Sequence, residues 1–266
     1  MWRAELATQF RRRRMIALLI VLAAIPAALA TAVYLSGGPQ SGEGPTFLDQ
    51  VTRNGVFAAL AGLTITIPIF LPLTVAIVSG DTVSGEASLG TLRYLLVRPS
   101  GRGRLLLVKA GTAAVFCLVA ALAVAIGGLV AGAVLFPIGR VTTLSGTTVS
   151  LFEGMLRTFG AALVVGLSLT GLAAMGMFIS TLTDVPVGAM AATVGMAILS
   201  AVLQAVPQVH VIHPWLFTNH WLAFGDLLRT PVRWTEIQKD LLLQLGYVAV
   251  FGAATWARFT TKDVLA

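Results

Sequence analysis

Residues Asp81–Lys109 read DTVSGEASLGTLRYLLVRPSGRGRLLLVK, a polar interruption between two long apolar runs. Five Lys or Arg residues, two acids, Pro99 and several Gly fall in this one stretch. The runs on either side decide the fold class. Val56–Ser79 before it and Leu105–Phe136 after it are each long enough, at about 1.5 Å per helical residue, to cross a hydrocarbon core about 30 Å thick. The whole 266-residue chain is 57% hydrophobic and 11% charged, with a mean hydropathy of +0.89. Soluble domains carry about 25% charged residues. This chain therefore reads as an integral membrane protein, not a soluble globule.

Working outward, four more apolar runs appear at about 15–35, 158–180, 187–206 and 241–257. The first follows a basic segment, as a signal peptide would, but it has about 20 apolar residues and no clear cleavage site, so it reads as a retained span. Ahead of it, Trp2, Leu6 and Phe10 share one helical face beside Arg3 and Arg11–Arg14. That pattern suits either a short helix lying in the membrane interface or a plain basic anchor. In the second span, Pro68 and Pro72 each remove a backbone donor and predict a kink, with Thr64, Thr66 and Thr74 available to the freed carbonyls. Gly128 and Gly132 in the third span form a GxxxG pair that permits close helix contact. Loops are expected at 36–55 and 137–157, and a tight turn at 181–186. Residues 207–240 are too polar to span and too apolar for an ordinary loop, which suggests short interfacial helices with Trp215, Trp221 and Trp234 at headgroup depth.

Charge sets the expected orientation. With six spans and the N-terminus inside, twelve of the 18 Lys and Arg residues fall on the cytoplasmic side and six on the other. The positive-inside rule then places both termini and the 81–109 stretch in the cytoplasm of a multi-pass plasma-membrane protein. The net charge of +7 is explained by the same asymmetry, without nucleic acid as a partner. The lone Cys117 rules out an intrachain disulfide.

Several chemistries are missing from the sequence. It contains no G-x-x-x-x-G-K-[ST] phosphate loop. With Lys109 counted in the polar stretch, the spans bounded above hold no Asp, Glu, Lys, Arg or His, so a proton relay through them is not expected. His210, His213 and His220, with Asp226 nearby, are spaced closely enough to invite a metal. His also suits an interface, and that reading is preferred, with no metal and no catalysis assigned. If the chain moves a substrate, the energy must come from a partner.

Within the polar stretch, Leu89, Leu92, Leu95 and Leu96 recur at helical spacing, Pro99 stops the helix, and Gly101 and Gly103 turn the chain back toward the membrane. This predicts a short amphipathic surface helix followed by a basic hinge. Its residues also resemble a known signature. Gly85-Glu86, Gly90-Thr91-Leu92-Arg93, Leu95-Leu96, Pro99, Arg102 and Lys109 are similar to the segment between the second and third spans of ABC-2 type permeases, the membrane subunits of one class of ABC exporter. Here Ser100-Gly101 replaces the usual apolar-Ser pair before the Arg. The signature covers about a tenth of the chain. The likeness extends to the six-span layout, the basic N-terminal helix, the interfacial region before the last span and the ending Phe259…Lys262-Asp263-Val264.

The resemblance implies an all-α permease with a cytoplasmic coupling helix at 81–104 and re-entrant outer helices at 207–240. It implies pairing with a second permease chain, identical or related, and with two copies of a separate ATP-binding cassette subunit that would hold ATP and Mg. Gly85, Glu86, Gly90, Thr91, Arg93, Arg98, Pro99 and Arg102 would shape or contact the ATPase docking site. Phe70, Pro68, Pro72, Thr193, Ser200 and Gln204 are candidates to line a path for a hydrophobic or amphipathic substrate such as a drug, lipid or peptide. Two other classes remain: a membrane anchor or assembly factor that recruits a soluble partner without transport, and an intramembrane enzyme built on the His cluster.

Overall fold

The structure, a computed structural model, describes residues 2–37, 47–88 and 102–261. It is an all-α membrane protein. Its helices are α1 (Trp2–Arg11), α2 (Arg13–Leu35), α3 (Leu48–Val51), α4 (Phe57–Thr66), α5 (Phe70–Ser88), α6 (Arg102–Leu135), α7 (Leu151–Ser168), α8 (Thr170–Leu182), α9 (Pro186–Ala205) and α10 (Thr235–Thr261). A hairpin of β1 (Val141–Thr142) and β2 (Thr148–Val149) precedes α7, and two 3₁₀ segments, Pro207–Trp215 and Ala223–Leu228, precede α10. Among the described residues five helical stretches are long and apolar enough to cross a membrane, or six when α4 and α5 count as one bent span. Ile20, Val134, Leu245 and Val250 point outward and exposed, the arrangement expected where the solvent is lipid.

The bend between α4 and α5 is 59° and falls where the sequence placed a kink. Pro68 lies in the break and Pro72 in the first turn of α5. The threonines act differently from expectation. Thr64 donates to Leu60 O, Thr66 to Gly62 O and Leu63 O, and Thr74 to Leu71 O. These carbonyls belong to the preceding turn of each helix, not to the positions the prolines leave unpaired.

The core forms around α6, which packs against α2, α4 and α7. Its inner face carries Phe116, Cys117, Ala120, Ala121, Val124 and Ala125, all fully buried. Small residues let backbones touch. A Cβ on Gly132 would overlap the carbonyl of Gly55, one on Gly128 the backbone of Ala59, and one on Gly127 the carbonyl of Ala23. The GxxxG pair thus serves contacts within the chain, against α4 and the turn ahead of it, while its neighbour Gly127 seats α2. Pro26, buried inside α2, packs on Gly62 of α4, where a Cβ would overlap its ring.

Three sequence boundaries move. The polar stretch begins and ends as helix: Asp81–Ser88 are the last two turns of α5, and α6 starts at Arg102. The expected 137–157 loop ends at Ser150, whose hydroxyl accepts from Glu153 N and caps α7. The last helix starts at Thr235, not near 241, so Glu236, Lys239 and Asp240 belong to it. The amphipathic helix expected around Leu89–Leu96 lies outside the described residues.

Candidate functional site

The two helix ends that flank residues 89–101 are joined by charge. On α5, Asp81 and Gly85 are one turn apart, and the carboxylate of Asp81 lies over Gly85, where a Cβ would come within 2.5 Å of Oδ1. Gly85 thus leaves room for Asp81 to meet Arg14 of α2, with Arg12 at 3.9 Å. One turn on, Glu86 accepts from Lys109 of α6 at 2.5 Å. Lys109 is 5% exposed in its side chain and Glu86 21%. An ammonium this dry is stable only with a close counter-charge, so α5 and α6 are clamped beside residues 89–101. A polar cavity of about 390 Å³ lies alongside, lined by Thr8 and Gln9 of α1 and by Arg12, Arg14, Asp81, Glu86 and Lys109.

The neighbouring helices converge at this end too. Ser180 of α8 accepts from the amides of Val83 and Ser84, at 3.0 and 2.9 Å, and donates to Gly80 O at 2.7 Å. One hydroxyl therefore pins the last turns of α5 to α8. Trp256 of α10 approaches Gly103, and Phe10 of α1 packs against Phe116. Phe259 is buried, and Lys262–Ala266 lie outside the described residues.

Of the candidate coupling residues, Gly85 and Glu86 stand in this cluster. Glu86 is turned inward to Lys109. Gly90, Thr91, Arg93, Arg98 and Pro99 lie outside the described residues, and for Arg102 only its place in the first turn of α6 is described. Asp81, Arg12 and Arg14 were not singled out by motif. Their signal was available: a basic run just before one span and an acid just after another, both destined for the same end of the bundle.

The candidate path residues are scattered. Pro68 and Phe70 are exposed at the α4–α5 bend, while Pro72 is buried. Thr193 is buried against Gly176 and donates to Ala189 O. Ser200 bonds to Thr218 at 2.8 Å, and Gln204 donates to Asn219 Oδ1 at 3.1 Å. Those two fasten α9 to the segment that follows it. An apolar crevice of about 690 Å³ lies elsewhere, between α6, α7, α8 and α10, lined among others by Leu106, Ala113, Leu167, Met177, Leu245 and Trp256.

At the end opposite α1, the histidines do not converge. His210 is exposed, His213 Nε2 lies 3.0 Å from Leu203 O and 3.2 Å from Val206 O, and His220 Nδ1 is 3.2 Å from Glu236. Among the described residues no three His, Cys, Asp or Glu side chains are grouped to hold a metal. Trp215 and Trp234 are exposed, but Trp221 is buried and donates to Ser168 O at 3.1 Å, so it is a core residue and not a headgroup anchor.

The expectation of spans free of ionisable groups fails at Asp240, which is fully buried in α10. Ser168 reaches one of its oxygens, and Gln244 Nε2 donates to the other at 3.1 Å and to Phe217 O at 2.8 Å. Asp240 stands just ahead of the apolar run at 241–257, in the part of α10 whose composition resembles a loop.

Residues 18–265 match one family over nearly the whole length. The chain belongs to the family described as Protein of unknown function (DUF2705). No curated protein matches it. Membership thus fixes a lineage and leaves the activity to be argued from the residues.

Proposed function

We propose that this member of the family is the permease subunit of an ATP-driven exporter, with both termini and residues 81–109 in the cytoplasm and the ATPase on a separate chain. The observation that carries the reading is the charged clamp at the base of residues 89–101. Glu86–Lys109 ties α5 to α6, and Arg14–Asp81 ties α2 to α5. A load applied to the segment between Ser88 and Arg102, or to α1, reaches three membrane helices through fixed contacts. That is what a coupling element requires, and two of the clamp residues, Glu86 and Lys109, belong to the ABC-2-like signature. Two permease chains and two ATP-binding subunits complete the assembly. The crevice between α6, α7, α8 and α10 favours a hydrophobic or amphipathic cargo.

The test is co-purification with the ATP-binding subunit encoded nearby, followed by ATP-dependent movement of a fluorescent amphipathic probe in vesicles. Arg93→Glu with Arg98→Glu should abolish both while leaving thermal stability unchanged. Retained ATPase binding in that variant, or probe movement by the purified chain without any ATPase, refutes the proposal. Recruitment of a soluble partner without ATP-dependent movement would point to the anchor reading instead.

A further inference from the structure

The polar cluster around Asp240 can be read by counting hydrogens. Ser168 Oγ is in hydrogen-bond contact with two oxygens, Val164 O at 2.8 Å and Asp240 Oδ2. A hydroxyl has one hydrogen, and a backbone carbonyl only accepts. If Asp240 is a carboxylate, the single hydrogen must be shared between the two oxygens or leave one contact empty. If Asp240 carries a proton on Oδ2, that proton goes to Ser168 Oγ and the serine hydrogen goes to Val164 O. Both contacts are then filled. The other oxygen, Oδ1, accepts from Gln244, whose two amide hydrogens are taken by Asp240 and Phe217 O.

The surroundings agree with a neutral acid. Asp240 is 0% exposed, and a buried carboxylate without a counter-charge is costly. Among the described residues no Lys, Arg or His lies within ion-pair distance of it. Its titratable neighbours are engaged elsewhere: Lys239 and His220 both pair with Glu236. Tyr247, two turns along α10, donates to Trp215 O. On α7, Glu153 and Arg157 pair with each other at the far end of the helix from Ser168. Of these, His220 lies on another element, and a protonated imidazole there would act against the neutral acid.

We infer that Asp240 is a proton-binding site, and that its neutral form clasps residues 216–222 onto α7 and α10. The clasp consists of Gln244 on Phe217 O, Trp221 on Ser168 O, and the Asp240–Ser168 link that fixes both holders. A cavity of about 320 Å³ is lined by Asn219, His220, Asp226, Arg229 and Glu236, and Glu236 stands one helical turn before Asp240. Loss of the proton leaves a charge in a dry site and pulls the serine hydrogen away from Val164 O, which loosens the clasp. This inference does not depend on the exporter reading.

The test uses the full chain in lipid bilayers. Infrared difference spectra between mildly acidic and alkaline pH should contain a protonated-carboxyl C=O band that Asp240→Asn removes. Hydrogen exchange of 216–222, corrected for intrinsic rates, should rise several-fold at alkaline pH in the natural chain. It should stay slow in Asp240→Asn, which keeps the shape and hydrogen bonds of the neutral acid. Should that variant fail to fold, Ser168→Ala should shift the C=O band by removing its hydrogen-bond partner. Absence of any carboxyl band sensitive to either substitution, or corrected exchange in 216–222 that does not change with pH, overturns the inference.

Discussion

Substitutions at Glu86 and Lys109 should reveal whether the clamp beside residues 89–101 is energetically coupled. Glu86→Gln keeps the side-chain shape and removes the carboxylate charge that faces the Lys109 ammonium, which is 5% exposed. Breaking one side of a buried pair costs about 3–5 kcal/mol. Lys109→Met should cost less, because Glu86 is 21% exposed and can recover part of its hydration. The double variant removes both charges from the dry site and should return to within about 1–2 kcal/mol of the natural chain. For a chain of this size each kcal/mol moves the melting temperature by about 2–4 °C, so Glu86→Gln should lose on the order of 6–20 °C. The assay is thermal unfolding in lipid nanodiscs of all four members of the cycle. Additive losses, with the double variant the least stable, would mean that the two groups do not stabilise each other and would refute the clamp.

Two further substitutions test the packing that holds this frame. Gly132→Ala places a Cβ against the backbone carbonyl of Gly55, which cannot rotate away, so it should destabilise the bundle by about 1–3 kcal/mol in thermal unfolding; an unchanged melting temperature would show that α6 and the turn before α4 are not in contact. Ser180→Ala removes the hydroxyl shared by Val83 N, Ser84 N and Gly80 O and should cost about 1–3 kcal/mol. Its mark should be faster amide exchange confined to the last turns of α5, and uniform exchange across the chain would contradict that placement.

The spans were legible because apolar runs of this length have one inexpensive solution in lipid, a helix that satisfies its own backbone. The proline bend was legible for a similar reason, since a missing donor at Pro68 acts locally. What escaped reading was the pairing of polar side chains across elements. Glu86 and Lys109 are 23 residues apart, and Arg14 and Asp81 are 67 apart. Nothing in local periodicity says that they meet, although the alternation of spans does bring them to the same end. The start of α10 was misplaced because Glu236, Lys239 and Asp240 look like loop residues by composition. They are tolerated in a helix because each has a partner: Lys239 and His220 for Glu236, and Ser168 and Gln244 for Asp240. A hydropathy window averages these residues together and cannot register that one of them points inward.

The polar chemistry differs between the two ends of the bundle, and the difference has a physical consequence. At the α1 end opposite charges hold three helices together, with Lys109 buried against Glu86 and Arg14 exposed beside Asp81, and the buried pair weakens when one partner is removed. At the other end the buried carboxyl is held by neutral donors and acceptors, so its contribution depends on a single proton. The two ends are joined by packed contacts. Ser79 of α5 lies against Gly176 of α8, which also contacts Thr193 of α9, and Ser200 and Gln204 of α9 hold Thr218 and Asn219. Through these contacts a displacement of α5 at the clamp bears on the segment that Asp240 clasps. Measured in the same samples, exchange in 216–222 should therefore respond to Glu86→Gln as well as to pH. A response to pH alone would leave the two ends mechanically independent.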